Sequence, residues 1–302
     1  MPELPEVETI RRQLAPHLQG RTILTATVLD PRWTRPEPPG TVARALSGRT
    51  IERIGRAGKY LLWELSGDLH LLVHLRMTGT LLFDPRPEVT HVRARFALDD
   101  GHQLVYVDPR RFGTAHLLPG RPAREAYLGA RLGIEPMTPE FTAEHLRVMA
   151  RGRTAPIKSF LLDQRRIAGV GNIYADEALY RARIHPLRLA GALNRTQLAA
   201  LRDGIEVSLL AGIEAKGATI DDFRHVDGAH GSFQDQFLVH LRAGEPCGRC
   251  GTAIIKLVVG GRGTYVCERC QPRPRRRVVR AGLAAAAGPV DSAELPRPRA
   301  AR

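Results

Sequence analysis

Two short stretches carry residue types with chemistry of their own. The first is the start of the chain, MPELPEVETI, with prolines at 2 and 5 and carboxylates at Glu3, Glu6 and Glu8. Removal of Met1 would leave Pro2 as a free secondary amine, and α-amino groups titrate near pH 7.7–8.0, against about 10.4 for lysine. A useful fraction is then unprotonated and nucleophilic at neutral pH, and a neighbouring carboxylate can move protons for it. Taken alone, the same pattern is also that of a plain helix start.

The second stretch holds all four cysteines, spaced Cys247-x2-Cys250-x16-Cys267-x2-Cys270. This is the spacing of two zinc knuckles. Two thiolates from each tight turn complete a tetrahedral Zn²⁺ site with no open position, which makes the metal structural. Two disulfides and an iron–sulfur cluster are the other readings, and a reducing cytosol opposes the first. So small a unit cannot bury a core of its own, so metal binding supplies much of its folding energy.

These residues need elements to place them. PEVETIRRQL reads as a helix with Pro5 in its first turn and Val7, Ile10 and Leu14 on the buried side. The positive end of such a helix favours the Glu3 carboxylate and disfavours a protonated amine. VRARFAL and QLVYV, joined by the DDG turn at 99–101, form an antiparallel hairpin, and RTILTATVLD and LHLLVHL are further strands. PEPPGT at 36–41 is read as a loop. From about residue 138 the period becomes helical. Thr142 can cap AEHLRVMARG, and Thr196 precedes a pattern running from Leu198 to Ile213 that stops at Gly217. Between them, IKSFLLDQ and NIYADEALYRARI are two short helices around RRIAGVG.

The chain has 302 residues, room for two ordinary domains. It carries 45 basic and 31 acidic residues, a formal charge of +14. From Gln271 onward eight arginines face Asp291 and Glu294, a net +6, which leaves +8 on the rest. A basic body as well as a basic tail points to a polyanion, with nucleic acid the leading partner. No apolar run approaches the roughly 18 residues of a membrane span, and no secretory signal leads the chain, so a soluble, cytosolic protein is expected.

Taken in order, PELPEVETIRR, GKYLLWEL, HLRMTG, DPRRFG, LLDQRRIAGVGNIYADEALYRARIHP and the four-cysteine unit resemble the bacterial formamidopyrimidine-DNA glycosylase family from residue 2 to about 271. The related endonuclease VIII group typically begins Pro-Glu-Gly-Pro-Glu, and Leu4 here favours the first group. The resemblance implies an α+β protein. Residues 1–130 would be an N-terminal β-sandwich catalytic domain that opens with a helix, 131–150 a hinge, 151–236 a helix–two-turn–helix domain, 237–271 a zinc-finger hairpin and 272–302 a disordered basic tail. It also implies a bacterial, cytoplasmic and nucleoid-associated monomer, and a partner in double-stranded DNA containing oxidised bases or abasic sites.

The resemblance further assigns roles. Pro2 attacks C1′ of a damaged nucleotide, Glu3 is its general acid/base, and Glu6 orders the site. Met77, Arg110 and Phe112 fill the gap left by the extruded base. Lys59, beside Gly58 in the catalytic group, joins His74, Asn172 and Arg262 as a phosphate clamp, with Asn172 capping the helix after GVG. Lys158, His91 and Tyr174 are weaker candidates for similar contacts, Glu177 supports the site, and Glu8 has no role beyond a solvated charge. VDGAHGSF at 226–233 corresponds to a loop over the flipped base. Where the family often has Tyr-Gly ahead of the finger, FLVHLR has His240 and Leu241, so His240 is the candidate to replace a tyrosine phosphate contact. The expected activity is a bifunctional glycosylase/lyase for oxidised purines. The alternatives are an oxidised-pyrimidine enzyme of the endonuclease VIII type and a non-catalytic zinc-finger DNA-binding protein.

Overall fold

Proline at the first helical turn loses nothing by lacking an amide hydrogen, and in the computed structural model, which describes residues 1–220 and 224–275, helix α1 spans Leu4–Leu18 with Glu3 at its cap position. The chain continues through β1 (Ile23–Val28), α2 (Pro39–Leu46), β2 (Ile51–Ala57), β3 (Tyr60–Leu65), β4 (Leu69–His74), β5 (Thr80–Phe83), β6 (Val92–Leu98), β7 (Gln103–Val107), β8 (Thr114–Pro119) and α3 (Gly120–Gly129). The strands form two antiparallel four-stranded sheets, ordered β1-β6-β7-β5 and β2-β3-β4-β8. The expected hairpin is β6–β7, with Phe96 opposite Leu104.

Between the sheets lie Leu61, Trp63, Leu71, Val73, Phe96 and Tyr106, with Val7, Ile10 and Leu14 of α1 against them. YLLWEL lacks a strict alternation because β3 is covered on both faces. Leu61 and Trp63 face the sandwich, whereas Tyr60 and Leu62 meet Tyr127 and Leu128 of α3. Helices α2 and α3 are additions to the sequence reading. Pro39 stands in the first turn of α2, so a run read as a loop instead starts a helix whose Val42 and Leu46, four apart, are buried. Helix α3 has no buried residue and thus little apolar signal.

The second half contains α4 (Ala143–Ala150), α5 (Ile157–Leu162), α6 (Asn172–Arg181) and α7 (Arg195–Glu214). Thr142 does cap α4, accepting the His145 N–H at 3.1 Å. Leu146 and Ala150 of α4 belong to the same core as α6 and α7, so the stretch read as a hinge is in large part built into the helical core. Helix α7 starts earlier than expected. Asn194, not Thr196, accepts the Gln197 N–H at 2.9 Å, and the Gln197 side-chain oxygen in turn accepts the Asn194 N–H at 3.1 Å.

A last hairpin, β9 (Ile255–Val259) and β10 (Arg262–Val266), turns at Gly260–Gly261, both with positive φ. Arg262 stands just past this tip. From residue 276 the expected basic tail lies outside the described residues. Among the described residues no helix is long and apolar enough to cross a membrane.

Candidate active site and nucleic-acid interface

The first residues of α1 meet the start of α6. Pro2 is buried, and Glu3 is 2% exposed. One Glu3 oxygen accepts the Ile173 N–H at 3.1 Å, while the other is buried with no protein partner. The Leu4 N–H donates to Gly169 O at 3.1 Å, which ties the chain's start to the turn before α6. Gly171, the cap of α6, lies so close that a Cβ there would sit 2.2 Å from the Glu3 carboxyl carbon. Glycine is therefore required at 171 by contact rather than by dihedral.

Glu6 is bound from three sides. It accepts the Glu3 N–H at 2.8 Å, the Tyr174 hydroxyl at 2.7 Å and the Ala218 N–H at 2.8 Å. Burial raises its pKa, with the Glu3 charge adding to the rise, and the three hydrogen bonds hold it back only in part. Tyr174 stacks on Phe233, its ring centroid 5.2 Å away, and is itself buried. Lys59, in the β2–β3 turn after Gly58 (φ +55), is buried within range of both carboxylates. Burial lowers its pKa, and the Glu3 and Glu6 charges oppose that shift. The arrangement can handle protons. It has a carboxylate with a spare buried oxygen, a second carboxylate biased toward its neutral form and an ammonium biased the same way.

At one end of the sandwich lie Met77, half-buried, and Arg110 and Phe112, both exposed. Arg110 lies over the Phe112 ring at 5.0 Å. His74 is buried and accepts the Arg76 N–H at Nδ1 (3.0 Å). Burial, then the charges of Arg76 and Lys59, push its pKa down to about 3, so the ring is neutral at physiological pH. His91 is exposed at φ +59.

The four cysteine sulfurs lie within 4.8 Å of one another and form no disulfide. Two cross-knuckle pairs, Cys250–Cys267 and Cys247–Cys270, are 3.5 and 3.8 Å apart. A tetrahedron with Zn–S near 2.3 Å has edges of about 3.8 Å, so the donor set fits the ion.

Three family models match in series: the formamidopyrimidine-DNA glycosylase N-terminal domain over residues 1–115, the H2TH domain of the same enzyme over 132–224, and the zinc finger found in FPG and IleRS over 244–273. The formamidopyrimidine-DNA glycosylase of Symbiobacterium thermophilum is 47% identical over 279 residues, covering 91% of this chain and 90% of that protein. The chain belongs to the formamidopyrimidine-DNA glycosylase family. Among solved structures, a Lactococcus lactis FPG variant in complex with Fapy-dG-containing DNA is similar with a TM-score of 0.85 and 35% identity, over 90% of this chain and all of that one. The Lactococcus lactis FPG in complex with abasic-site DNA gives a TM-score of 0.83 and 36% identity at the same coverage. As in the family's finger, the four cysteines hold one structural Zn²⁺.

Within this glycosylase framework several expected contacts move. Lys158, expected at phosphate, is fully buried, and its ammonium donates to Asp176 (2.7 Å), Thr264 Oγ1 (2.8 Å) and Gly263 O (3.0 Å). All three of its donors are spent on the helical core and the finger. Asn172 is the first residue of α6 rather than its cap, and its side-chain N–H donates to Gly263 O at 3.0 Å. The neighbouring Ile173 amide serves Glu3 instead of a phosphate. His240 is buried, its Nδ1 on Asp176 at 2.8 Å, which removes it from the surface where a phosphate would lie. Glu8 is no solvated charge, because it pairs with Arg11, Arg12 and Arg56. Arg262 is exposed.

Glu177, expected to support the site, binds the segment leading into the finger: its carboxylate accepts the N–H groups of Leu238, Val239 and His240, each at 3.0 Å. Burial raises its pKa and these bonds offset the rise. The loop expected at 226–233 is fastened at its start, where Val226 receives Phe83 N–H at its carbonyl (3.0 Å) and donates to Gln13 Oε1 (3.3 Å). Sequence reasoning missed Asp176, the hub between Lys158 and His240, and Asp108, which accepts Thr78 Oγ1 and the Gly113 N–H. Their signal is weak, since a buried aspartate in a helix or before a Pro-Arg turn looks like any surface acid.

Proposed function

We propose that this chain is a base-excision DNA glycosylase with abasic-site lyase activity, acting on oxidised purines, chiefly 8-oxoguanine opposite cytosine and ring-opened formamidopyrimidines. The observation that carries this reading is the Glu3 carboxylate, buried beside Pro2 with one oxygen free for a reacting group. Once Met1 is removed, the Pro2 nitrogen attacks C1′ and a C1′–N bond replaces the glycosidic bond, whose electron pair and a proton leave with the base. Glu3 moves that proton and the ring-oxygen proton as the sugar opens to an iminium. The iminium acidifies the 2′ hydrogen. Its removal expels the 3′ phosphate, and a second elimination expels the 5′ phosphate. Glu6 holds the Glu3 backbone in place, and Lys59 places its amine within electrostatic range of both carboxylates.

Met77, Arg110 and Phe112 would occupy the gap in the duplex, with Phe112 wedged between bases and Arg110 donating to the orphaned cytosine. His74, His91 and Arg262 would hold phosphates. The structural Zn²⁺ supplies no chemistry and fixes the hairpin that carries Arg262. A bacterial cytoplasmic location fits an enzyme of this family. The division into a catalytic sandwich, a helical domain and a finger is supported by three separate hydrophobic clusters, one in each part.

The test is borohydride trapping. The protein with Met1 removed should form a covalent adduct with 8-oxoguanine:cytosine duplex at the N-terminal peptide, read by mass spectrometry. Trapping by Pro2→Gly at the unaltered rate would refute the assignment. Faster excision from a thymine-glycol duplex would favour the oxidised-pyrimidine alternative.

A further inference from the structure

Two loops join the two sheets at the same end of the sandwich. One, residues 75–79, leads from β4 to β5; the other, 108–113, leads back from β7 to β8. Because β5 pairs with β7 (Thr80 opposite Val107) and β4 with β8 (His74 opposite Thr114), the crossovers lie side by side. The first carries Met77 and the second Arg110 and Phe112.

One hydroxyl joins them. Thr78 Oγ1 donates to the Asp108 carboxylate and accepts the Arg110 N–H at 3.3 Å. Its one hydrogen and one lone pair thus serve two points of the other loop. The second Asp108 oxygen accepts the Gly113 N–H at 2.8 Å, so the same carboxylate closes the far end of its own loop. Thr78 and Asp108 are 4% and 1% exposed, so water does not compete for the bond between them. Arg111, between Arg110 and Phe112, is held bidentately by Asp30 at 2.6 and 2.8 Å. Neighbouring residues are thereby pinned while Arg110 and Phe112 remain exposed.

We infer that Thr78 is a positioning residue for reading the base opposite the lesion: its hydroxyl clasps the Met77 loop to the Arg110–Phe112 loop, so that the three side chains enter the duplex as one unit. This rests on the proposed glycosylase reading and adds a residue to it. Without the hydroxyl, a carboxylate oxygen and the Arg110 amide lose a buried partner. Arg110 then explores more positions, and its preference for cytosine weakens. Chemistry at Pro2 does not depend on this clasp when no opposite base is present.

The test compares Thr78→Val, which keeps the shape, and Thr78→Ser, which keeps the hydroxyl, with the unaltered protein. Three rates are read: 8-oxoguanine excision opposite cytosine, the same opposite adenine, and borohydride trapping on a single-stranded abasic oligonucleotide. Thr78→Val should lower the cytosine-to-adenine ratio by about fivefold or more, with single-strand trapping unchanged. Thr78→Ser should restore the ratio. An unchanged ratio in Thr78→Val, or a proportional loss of all three rates, overturns the inference. Absence of excision by the unaltered protein overturns the glycosylase reading, and this inference with it.

Discussion

The proton-handling site and the DNA-reading rim are built in opposite ways. Glu3 and Glu6 are buried and held by backbone amides of residues 173 and 218, in the other half of the chain. Arg110 and Phe112 are exposed, and their loops are fixed by neighbours within the same sandwich. Buried carboxylates need long-range partners because an unmatched charge inside costs several kcal/mol. Exposed readers need only a rigid base, since their own partner arrives with the nucleic acid. The site is therefore sensitive to the relation between the two halves and the rim to the sandwich alone.

That contrast can be broken at graded strengths. The largest effect is expected for Glu3→Gln, which keeps the shape and removes the proton-transfer group: trapping on an 8-oxoguanine duplex should fall by about 10²–10⁴-fold, with duplex affinity by gel shift little changed. A parallel loss of affinity would mean that Glu3 serves structure instead. Phe112→Ala should lower duplex excision by about tenfold, because part of the few kcal/mol of unstacking is no longer offset, and should spare a single-stranded abasic substrate. Equal losses on both substrates would erase the distinction between rim and site. Arg262→Ala should weaken binding evenly across sequences and reduce the salt slope by about one. Zinc removal by a strong chelator should do at least as much, and an unchanged affinity after chelation would deny the finger its clamp.

The smallest effect concerns Glu8. Burial alone would raise its carboxyl, but hydrogen bonds from Arg11 and Arg12 and the charges of Arg11 and Arg56 outweigh that and bring it down to about 2, from 4.5. A lowered pKa stabilises the fold above pH 4.5, and the contribution fades as pH falls from there toward 2. With solvent screening of these partly exposed partners, it is worth on the order of 1 kcal/mol. Denaturant midpoints of Glu8→Gln should thus lie below those of the unaltered protein at pH 6 and converge with them toward pH 2. A constant gap would assign the effect to packing.

Local patterns were the legible part. The four cysteines, the DDG hairpin, the Thr142 cap and the Pro5 helix start each depend on a few adjacent residues, and each lies where its spacing placed it. Proline in a first turn was ambiguous, so PEPPGT concealed the start of α2. The less legible part depends on partners far apart in the chain. Lys158 looks like a DNA contact until the finger hairpin, about a hundred residues later, is seen to take two of its donors, and Asn172 gives one of its side-chain N–H groups to the same hairpin. His240 follows the same rule, since Asp176 claims it. A cation's sequence neighbours do not disclose whether a carboxylate elsewhere already holds it.

The attachment of the first residues to Ile173, Tyr174 and Ala218 also sets an order in time. Chains emerge at about 5–20 residues per second, so the Glu6 cradle cannot close until roughly ten seconds or more after Pro2 has left the ribosome. During that interval the N-terminus is open to trimming. Once folded, Pro2 is buried while Met1 stays 43% exposed, so the residue to be removed still faces outward after the cradle has closed. A chain that keeps Met1 has an amide at Pro2, and therefore lacks the amine that would react.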